Sequence, residues 1–431
     1  MTQTRVLSPF ETGYFTENTR LGSVPIGGMP LFVGTTVRGE VDVAMLRRVL
    51  GELAAGHVLL RSRLSPDATR FEVDAGYRPP LRVLDGELDE YWRLVNSRPD
   101  WSNGLLRAVL LRGREQTRLV LIVHHGISDG RSGFALLEEL WQRYSAHLAG
   151  TPLPPMDSDR DLIDGVDTLL AAVTSDAEVD GFLDQVRAMA GQPGDAPHAL
   201  PLDGDGIGDP NGRLALRRIE LDARHTAELV TVARGHRISV NSLLTGAALS
   251  AVRGEVPASG PVALMCGHAV DLRPELTPRV PVSTVLNCAS GAGTAAVVDH
   301  DSDPIALAVQ ADAMLRQLLD GRFPALFMRA SQRPLEASIA AVLDAAPAIA
   351  LSNMGRLPAH SMPATLQFVR DEVFAMAAGM PPKMTIFTVG ARLTIQVEYD
   401  TAEHSHAQMG RVAEAMSAQL TRLARTASAR A

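Results

Sequence analysis

The feature that most constrains the fold is a change of periodicity around residues 124–130. Residues 117–125 form an apolar, β-branched run that predicts a strand. Residues 131–149 place apolar side chains at helical spacing and stop at Gly150. The segment between them, His-His-Gly-Ile-Ser-Asp-Gly, leaves room for a tight turn only. A strand, a turn and a helix therefore carry two histidines and an aspartate into one place.

The rest of the chain predicts a mixed α/β protein in two halves. A length of 431 residues is enough for two cores of ordinary size. The remaining periodic segments are predicted as strands at 29–38, 105–112, 213–221, 261–271 and within 384–399, and as helices at 42–55, 222–234, 239–253 and 404–424. A stretch rich in Asp, Gly and Pro, with one helix near 162–189, separates the halves. We expect an N-terminal subdomain at 1–175, a connecting segment at 176–212 and a C-terminal subdomain at 213–431.

The two histidines of the turn cannot share one task. Adjacent residues of a strand point to opposite faces, so one of His124 and His125 should serve structure and the other chemistry. The same spacing argues against a metal site, because two ligands on one strand would be separated by one residue. His125, at the end of the strand, suits a general base. Asp129 is expected to be an N-cap or a member of a buried ion pair, while Gly130 and Gly133 relieve the turn.

A second interpretation makes Ser128 a nucleophile. Residues 126–130 match the Gly-x-Ser-x-Gly elbow of serine hydrolases, which also lies between a strand and a helix. Asp400 with His404 or His406 would complete a triad in the required order. This interpretation leaves the two preceding histidines without a role, and no His-Gly-Gly-Gly-like oxyanion segment precedes the motif.

Composition excludes several other classes of function. The net charge of -8 comes without a basic stripe, so nucleic acid is not an expected partner. No apolar stretch approaches the ~20 residues of a membrane helix, and the first residues lack the apolar core of a signal peptide, so a cytoplasmic protein is expected. Cys266 and Cys288 lie in apolar stretches and are expected to be buried thiols without a role. Lys383 is the one lysine of the chain.

Taken whole, His-His-x-x-x-Asp-Gly resembles the signature of the condensation-domain superfamily, to which chloramphenicol acetyltransferase belongs. Other stretches are similar to further motifs of that family, although Val58 stands where its first helix is usually followed by proline. Within the superfamily the likeness is greatest to the polyketide-associated acyltransferase branch, that of the phthiocerol dimycocerosyl transferases. The similar stretches are 46–64, 239–248 ("S-x-N"), Asp271-Leu272-Arg273-Pro274 ("D-L-R"), 284–287 and 351–355 ("S-N-x-G").

The resemblance implies two chloramphenicol acetyltransferase-like subdomains with a tunnel between them. It implies that His125 is the base in direct transfer of an acyl group from coenzyme A or an acyl carrier protein to a hydroxyl of a small-molecule acceptor. His124 and Gly130 would be structural, and Asp129 would pair with Arg273. Ser352 and Asn353 would line the tunnel or meet the oxyanion. No permanently bound cofactor or metal and a monomeric chain are expected. A free-standing condensation enzyme, forming an amide or ester between carrier-bound substrates, is the alternative within the same family.

Overall fold

The computed structural model describes residues 3–153, 161–191 and 196–428. Within these ranges the strands are β1 (Thr4–Val6), β2 (Arg20–Leu21), β3 (Val24–Pro25), β4 (Pro30–Arg38), β5 (Ser62–Leu64), β6 (Arg70–Val73), β7 (Leu81–Asp85), β8 (Leu106–Arg112), β9 (Thr117–His124), β10 (Leu214–Leu221), β11 (Val262–Asp271), β12 (Ala289–Val298), β13 (Ile349–Leu357), β14 (Gln367–Phe374), β15 (Lys383–Val389) and β16 (Arg392–Asp400). The helices are α1 (Pro9–Phe15), α2 (Val43–Gly56), α3 (Leu88–Val95), α4 (Gly130–Ala149), α5 (Val166–Ala171), α6 (Asp176–Ala190), α7 (Ala223–Gly235), α8 (Val240–Arg253), α9 (Pro304–Asp320), α10 (Phe323–Ala330), α11 (Ala337–Leu343) and α12 (His406–Ser428).

The N-terminal half is built on a five-stranded sheet in the order β14-β4-β9-β8-β7. Strand β9 is central and apolar, and its neighbours β4 and β8 are antiparallel to it. Helix α4 packs on β4 at Gly133, where an added Cβ would lie 2.9 Å from Val33 Cγ2. That close approach, rather than relief of the turn, explains this glycine, since its φ is not positive. Sheet and helix together bury one apolar core.

The C-terminal half is built on a six-stranded sheet in the order β10-β16-β15-β13-β11-β12. Alternate residues of its strands, such as Met384 and Ile386 of β15, join the apolar core under α7, α8 and α12. The residues between them face the N-terminal half, where Phe387 of β15 lies 5.4 Å from Phe134 of α4, centroid to centroid. The two sheets therefore meet across a shared interior.

Strand β14 crosses from one half to the other. It follows β13 of the C-terminal sheet, yet it pairs antiparallel with β4 at the edge of the N-terminal sheet. His360, in the connection that leads to it, lies 2.7 Å from Glu138 of α4 and 2.8 Å from Asp371 of β14. The division into 1–175, 176–212 and 213–431 therefore stays a proposal. Residues 367–374 are an exception to it, because they belong to the C-terminal part of the sequence but pair with the N-terminal sheet. Residues 192–195 of the connecting segment lie outside the described residues.

The mixed α/β fold in two halves is confirmed, with two local corrections. The single helix predicted near 162–189 is wrong, because Ser175 forms a capping box with Glu178 and starts a separate helix, α6, after α5. Strands β12 and β14 were not predicted. The first is rich in Ala and Gly, which are depleted in strands, and the second carries three consecutive charged residues. No helix in the described ranges has the length and apolarity to span a bilayer.

Candidate active site

The motif turn begins one residue earlier than the sequence predicted. Strand β9 ends at His124, and His125–Ile127 form a 3₁₀ turn. His125 is therefore the first residue of the turn, and the alternation of side chains along a strand does not decide which way it points. Asp129 is the N-cap of α4, and its carboxylate accepts a hydrogen bond from Ser132 N at 2.9 Å. Gly130, the first residue of α4, lies against Met354, since an added Cβ would be 2.8 Å from its Sδ.

Asp129 also ties the turn to the C-terminal half. Arg273 Nη1 donates to Asp129 Oδ2 at 2.7 Å, and Cys288 N donates to the same oxygen at 2.9 Å. Arg273 in turn donates to Leu286 O at 3.0 Å. Both charged side chains are buried, so the pair named from the sequence is in contact and out of water. The carboxylate therefore binds both the first turn of α4 and the C-terminal half.

His124 is enclosed on all sides. Its ring stacks on Phe15 at 4.0 Å and meets Trp101 edge-on at 4.9 Å. Its Nδ1 accepts a hydrogen bond from Gly126 N at 3.1 Å, which fixes the backbone of the turn. Burial, followed by the neighbouring His125, lowers the pKa of His124 to about 3. This histidine is therefore uncharged at neutral pH and shapes the turn.

His125 is only partly buried, and two side chains contact it. Tyr14 of α1 stacks on it at 5.5 Å between ring centroids. Asn287 Nδ2 donates to its backbone carbonyl at 2.9 Å and lies 3.4 Å from its Nδ1. Burial lowers the pKa of His125 to about 4, opposed by a hydrogen bond to its own carbonyl and reinforced by the charge of Lys383. The imidazole is therefore neutral, partly accessible and fixed in orientation.

Asn287 connects several parts of this site. It is 1% exposed, and its Oδ1 accepts a hydrogen bond from Ala289 N at 3.0 Å. Burial raises the pKa of the Tyr14 phenol to about 12, although the Asn287 amide acts to lower it. One amide thus acts on both the tyrosine and the histidine that stack on each other.

Ser352 and Asn353 lie on opposite faces of β13. Asn353 donates to Asn241 Oδ1 at 3.3 Å and accepts from Gly355 N at 2.9 Å, so its amide is engaged beside the start of α8 and in the local turn. Ser352 is in register with Thr385 of β15 and shares the face that meets the N-terminal half. Two candidates of equal standing in the sequence are therefore separated by the pleat of the strand.

The chain is similar to known proteins in sequence and in fold. The profile of the family described as "Phthiocerol/phthiodiolone dimycocerosyl transferase C-terminus" matches residues 210–398. A phthiocerol/phthiodiolone dimycocerosyl transferase of Mycobacterium leprae is 26% identical over 317 residues, which cover 66% of this chain and 69% of that protein. The solved structure of polyketide synthase associated protein 5 from Mycobacterium tuberculosis superposes with a TM-score of 0.72 at 21% identity, covering 98% of this chain and 99% of the other.

A condensation domain shares the same fold. That of the Monacolin K polyketide synthase MokA superposes with a TM-score of 0.68 at 14% identity, covering 98% of this chain and 97% of the other. The chain is an acyltransferase that is similar in sequence to the dimycocerosyl transferases and has the fold of condensation domains. Its two sheet-and-helix halves, which the motifs predicted, superpose on those of both solved structures.

The serine hydrolase interpretation is wrong for this acyltransferase. Ser128 is fully buried, and its Oγ contacts Asp129 O and Ser132 Oγ rather than a histidine. The other residues nominated for the triad are engaged elsewhere. Asp400 pairs with Arg213, His404 with Gln408, and His406 with Asp209 and Tyr399. A nucleophilic elbow needs an accessible serine next to its base, and neither condition is met.

Three residues of the site escaped the analysis of the sequence. Asn287 lies in the segment 284–287 that resembles the superfamily, and this was a signal that could have found it. Lys383 was noticed only as the single lysine, and nothing in the sequence singled out Tyr14. Among the described residues, no group of three or more His, Cys, Asp and Glu could hold a metal ion.

Proposed function

We propose that this acyltransferase moves an acyl group from a coenzyme A or acyl-carrier-protein thioester to a hydroxyl, with His125 as the general base. The observation that supports the proposal is that the imidazole of His125 is neutral and partly accessible, with Asn287 beside its Nδ1. Asn287 Nδ2 lies 3.4 Å from Nδ1 of the ring and donates to the carbonyl of the same residue. We therefore assign the reacting lone pair to Nε2, the ring nitrogen on the other side.

The reaction then proceeds without a covalent enzyme intermediate. Nε2 of His125 removes the proton of the acceptor hydroxyl as the oxygen attacks the thioester carbonyl. The carbonyl electrons move to the oxygen, which becomes a tetrahedral oxyanion. When the intermediate collapses, the C–S bond breaks and the imidazolium returns its proton to the leaving sulfur. We place Ser352 among the residues that line the tunnel beside the reacting atoms, and we assign Asn353 to the strand end.

The relatives suggest the substrate class. Proteins named phthiocerol/phthiodiolone dimycocerosyl transferases transfer, by that name, mycocerosyl groups to phthiocerol and phthiodiolone. By analogy we propose a polyketide, glycolipid or related secondary metabolite as the acceptor here. A chain that works as a monomer in the cytoplasm, with the thioester as a co-substrate and no permanently bound cofactor, is consistent with this proposal.

The test compares His125→Ala with Ser128→Ala. Both purified variants are incubated with a panel of acyl thioesters and candidate alcohols, and thiol release is measured together with the mass of the products. We expect the His125 variant to lose roughly 10²–10⁴-fold in rate, the usual contribution of a general base. Ser128→Ala should keep most of its activity if it folds. Wild-type transfer by His125→Ala would overturn the proposal.

Condensation of carrier-bound substrates is the second candidate, because the MokA condensation domain has the same fold. A carrier-dependence assay separates the two functions. The same acyl group is offered on coenzyme A and on a carrier protein, with an alcohol or an amine as acceptor. Full turnover with the coenzyme A thioester and an alcohol supports the transferase, whereas turnover confined to carrier-bound partners supports condensation.

A further inference from the structure

Lys383 is unusual among the basic residues of this chain. It is the single lysine among 41 Lys and Arg residues, and it is only 7% exposed. Its ammonium donates to Ala375 O at 2.6 Å and lies 3.0 Å from Glu398 Oε2. An ammonium is a compact charge with three donors, whereas a guanidinium is a planar fork, so the two are not interchangeable at a crowded site. The chain thus keeps a point charge where it uses arginine everywhere else.

The strand registers place this ammonium at the same end of the interface as the motif turn. In the N-terminal sheet, Pro30 pairs with His124, and Phe32 pairs with Phe374. Ala375, whose carbonyl binds Lys383, follows Phe374 directly. Lys383 therefore reaches from β15 of the C-terminal sheet toward the edge from which His125 emerges, and its positive charge adds to burial in lowering the pKa of that imidazole.

One donor of the ammonium is unassigned. Of its three N–H groups, one binds Ala375 O and a second faces Glu398 Oε2. In the part of the chain that the structure describes, no acceptor is recorded for the third. Thr385, two residues along and on the same face of β15, also has a buried hydroxyl without a recorded partner. A substrate oxygen beside His125 would accept a hydrogen bond from this third N–H group.

The sign of the electrostatic effect indicates what the charge does. A cation beside a base disfavours the protonated base, so Lys383 weakens His125 and cannot serve to activate it. The same cation stabilises negative charge that develops nearby. In acyl transfer that charge develops on the carbonyl oxygen of the thioester. A cation that hinders the base is therefore useful only if the oxyanion forms within its reach.

We propose that Lys383 is a further catalytic residue, whose third N–H binds the thioester carbonyl oxygen and stabilises the oxyanion. This inference rests on the proposed transfer by His125. During the step the acceptor proton goes to Nε2 of His125, the new C–O bond forms, and the carbonyl electron pair moves onto the oxygen bound by Lys383. On collapse that pair re-forms the carbonyl, the C–S bond breaks and sulfur takes the proton. Lys383 transfers no proton in this step and stays beside Glu398 Oε2 at 3.0 Å.

The experiment uses Lys383→Met, which keeps the aliphatic stem and removes the charge, and Lys383→Arg, which keeps the charge. Arg118→Met is the matched control. It also removes a buried cation, paired with Glu372 at 2.8 Å, but at the opposite end of β9 from His124. Steady-state transfer is measured with an acyl-coenzyme A and an accepted alcohol. We expect kcat of Lys383→Met to fall about 10²–10³-fold, as when one oxyanion donor is lost, with KM nearly unchanged. Lys383→Arg should recover part of the loss.

A second readout does not depend on turnover. The titratable groups that face His125 are Tyr14, His124, Asp129 and Lys383. Removing the cation should raise the pKa of His125, which is followed by NMR of ¹³C-labelled histidine with His125→Ala for assignment. The acid limb of the rate profile should move to higher pH in Lys383→Met and stay in place in Lys383→Arg and Arg118→Met.

The outcomes are distinguishable. If Lys383→Met keeps wild-type kcat and an unchanged His125 titration while His125→Ala is inactive, the inference about Lys383 fails and the proposed transfer stands. If Lys383→Met and Arg118→Met lose activity equally, in proportion to their lost folded fraction, Lys383 is structural and the inference also fails. Full activity in His125→Ala overturns the transfer mechanism itself, whatever the result at Lys383.

Discussion

The buried histidine of the crossing connection should make the stability of the fold depend on pH. His360 is 2% exposed at its side chain and lies between Glu138 and Asp371. Burial alone would lower its pKa, but the hydrogen bonds and charges of the two carboxylates outweigh burial and raise the pKa from 6.5 to about 9. His360 is therefore charged at neutral pH, and it links α4 to β14, the strand that crosses between the halves.

The size of the effect follows from this rise in pKa. At about 1.4 kcal/mol per pKa unit, the charged ring stabilises the folded state by about 3 kcal/mol. Because the folded pKa is raised, this stabilisation is complete below about pH 6.5 and is lost as the pH rises through about 9. Integrating the titrations of the folded and unfolded states gives a loss of about 2 kcal/mol of stability between pH 6 and pH 8. Both pH values lie below the pKa of about 8.5 of an exposed thiol, so ionisation of the cysteines does not contribute.

The assay compares the wild-type chain with His360→Gln. Urea unfolding is followed by far-ultraviolet circular dichroism at pH 6 and pH 8. His124 and His125, whose pKa values are lowered, oppose the effect at pH 6, but they are common to both proteins and cancel in the difference. The midpoint difference between wild type and variant should shrink from pH 6 to pH 8. An equal difference at both values, or a His360 titration near 6.5 by NMR, would refute the reasoning.

Three further variants probe the turn and its supports. Asp129→Ala removes one of the two carboxylates that pair with Arg273, the other being Asp271 at 3.1 Å, and should lower the free energy of unfolding by about 1.5–3 kcal/mol in thermal denaturation. Asn287→Ala removes the hydrogen bonds to His125 O and from Ala289 N, so it should reduce kcat by about tenfold in the transfer assay and lower the free energy of unfolding by about 1–3 kcal/mol. Gly133→Val forces α4 away from β4 and should cost about 1–3 kcal/mol, visible as a lower melting temperature with far-ultraviolet signal retained.

The sequence predicted the parts of the site that come from neighbouring residues and missed the contacts between residues far apart in the chain. The change from a strand period to a helix period located the motif turn, and capping chemistry located Asp129. The contact between Asp129 and Arg273 spans 144 positions and came only from the resemblance to a family. Asn287, 162 positions from His125, was visible as part of a motif but not as a neighbour. Nothing in periodicity or spacing brings such distant residues together.

Strand β14 shows why a strand with buried charged residues is difficult to predict from the sequence. Its middle residues, Arg370, Asp371 and Glu372, predict an exposed loop on polarity alone. In the fold Glu372 pairs with Arg118 at 2.8 Å, and Asp371 accepts hydrogen bonds from Thr35 and His360. Each buried carboxylate is matched by a partner on another element, which is the condition for burying it. A pattern of single residues cannot show that their partners exist.

Matched charges of the same kind explain how the two halves hold a fixed relation to each other. Arg273 of the C-terminal half binds Asp129, and Lys383 binds the carbonyl of Ala375 at the end of β14. Directional contacts of this kind fix position with little surface, whereas apolar packing would have to fill the space between the sheets. Loss of one such contact leaves each cation with one carboxylate partner in its own half, Asp271 for Arg273 and Glu398 for Lys383, and removes the link across the interface. A variant that separates the halves should therefore lose activity before it loses either core.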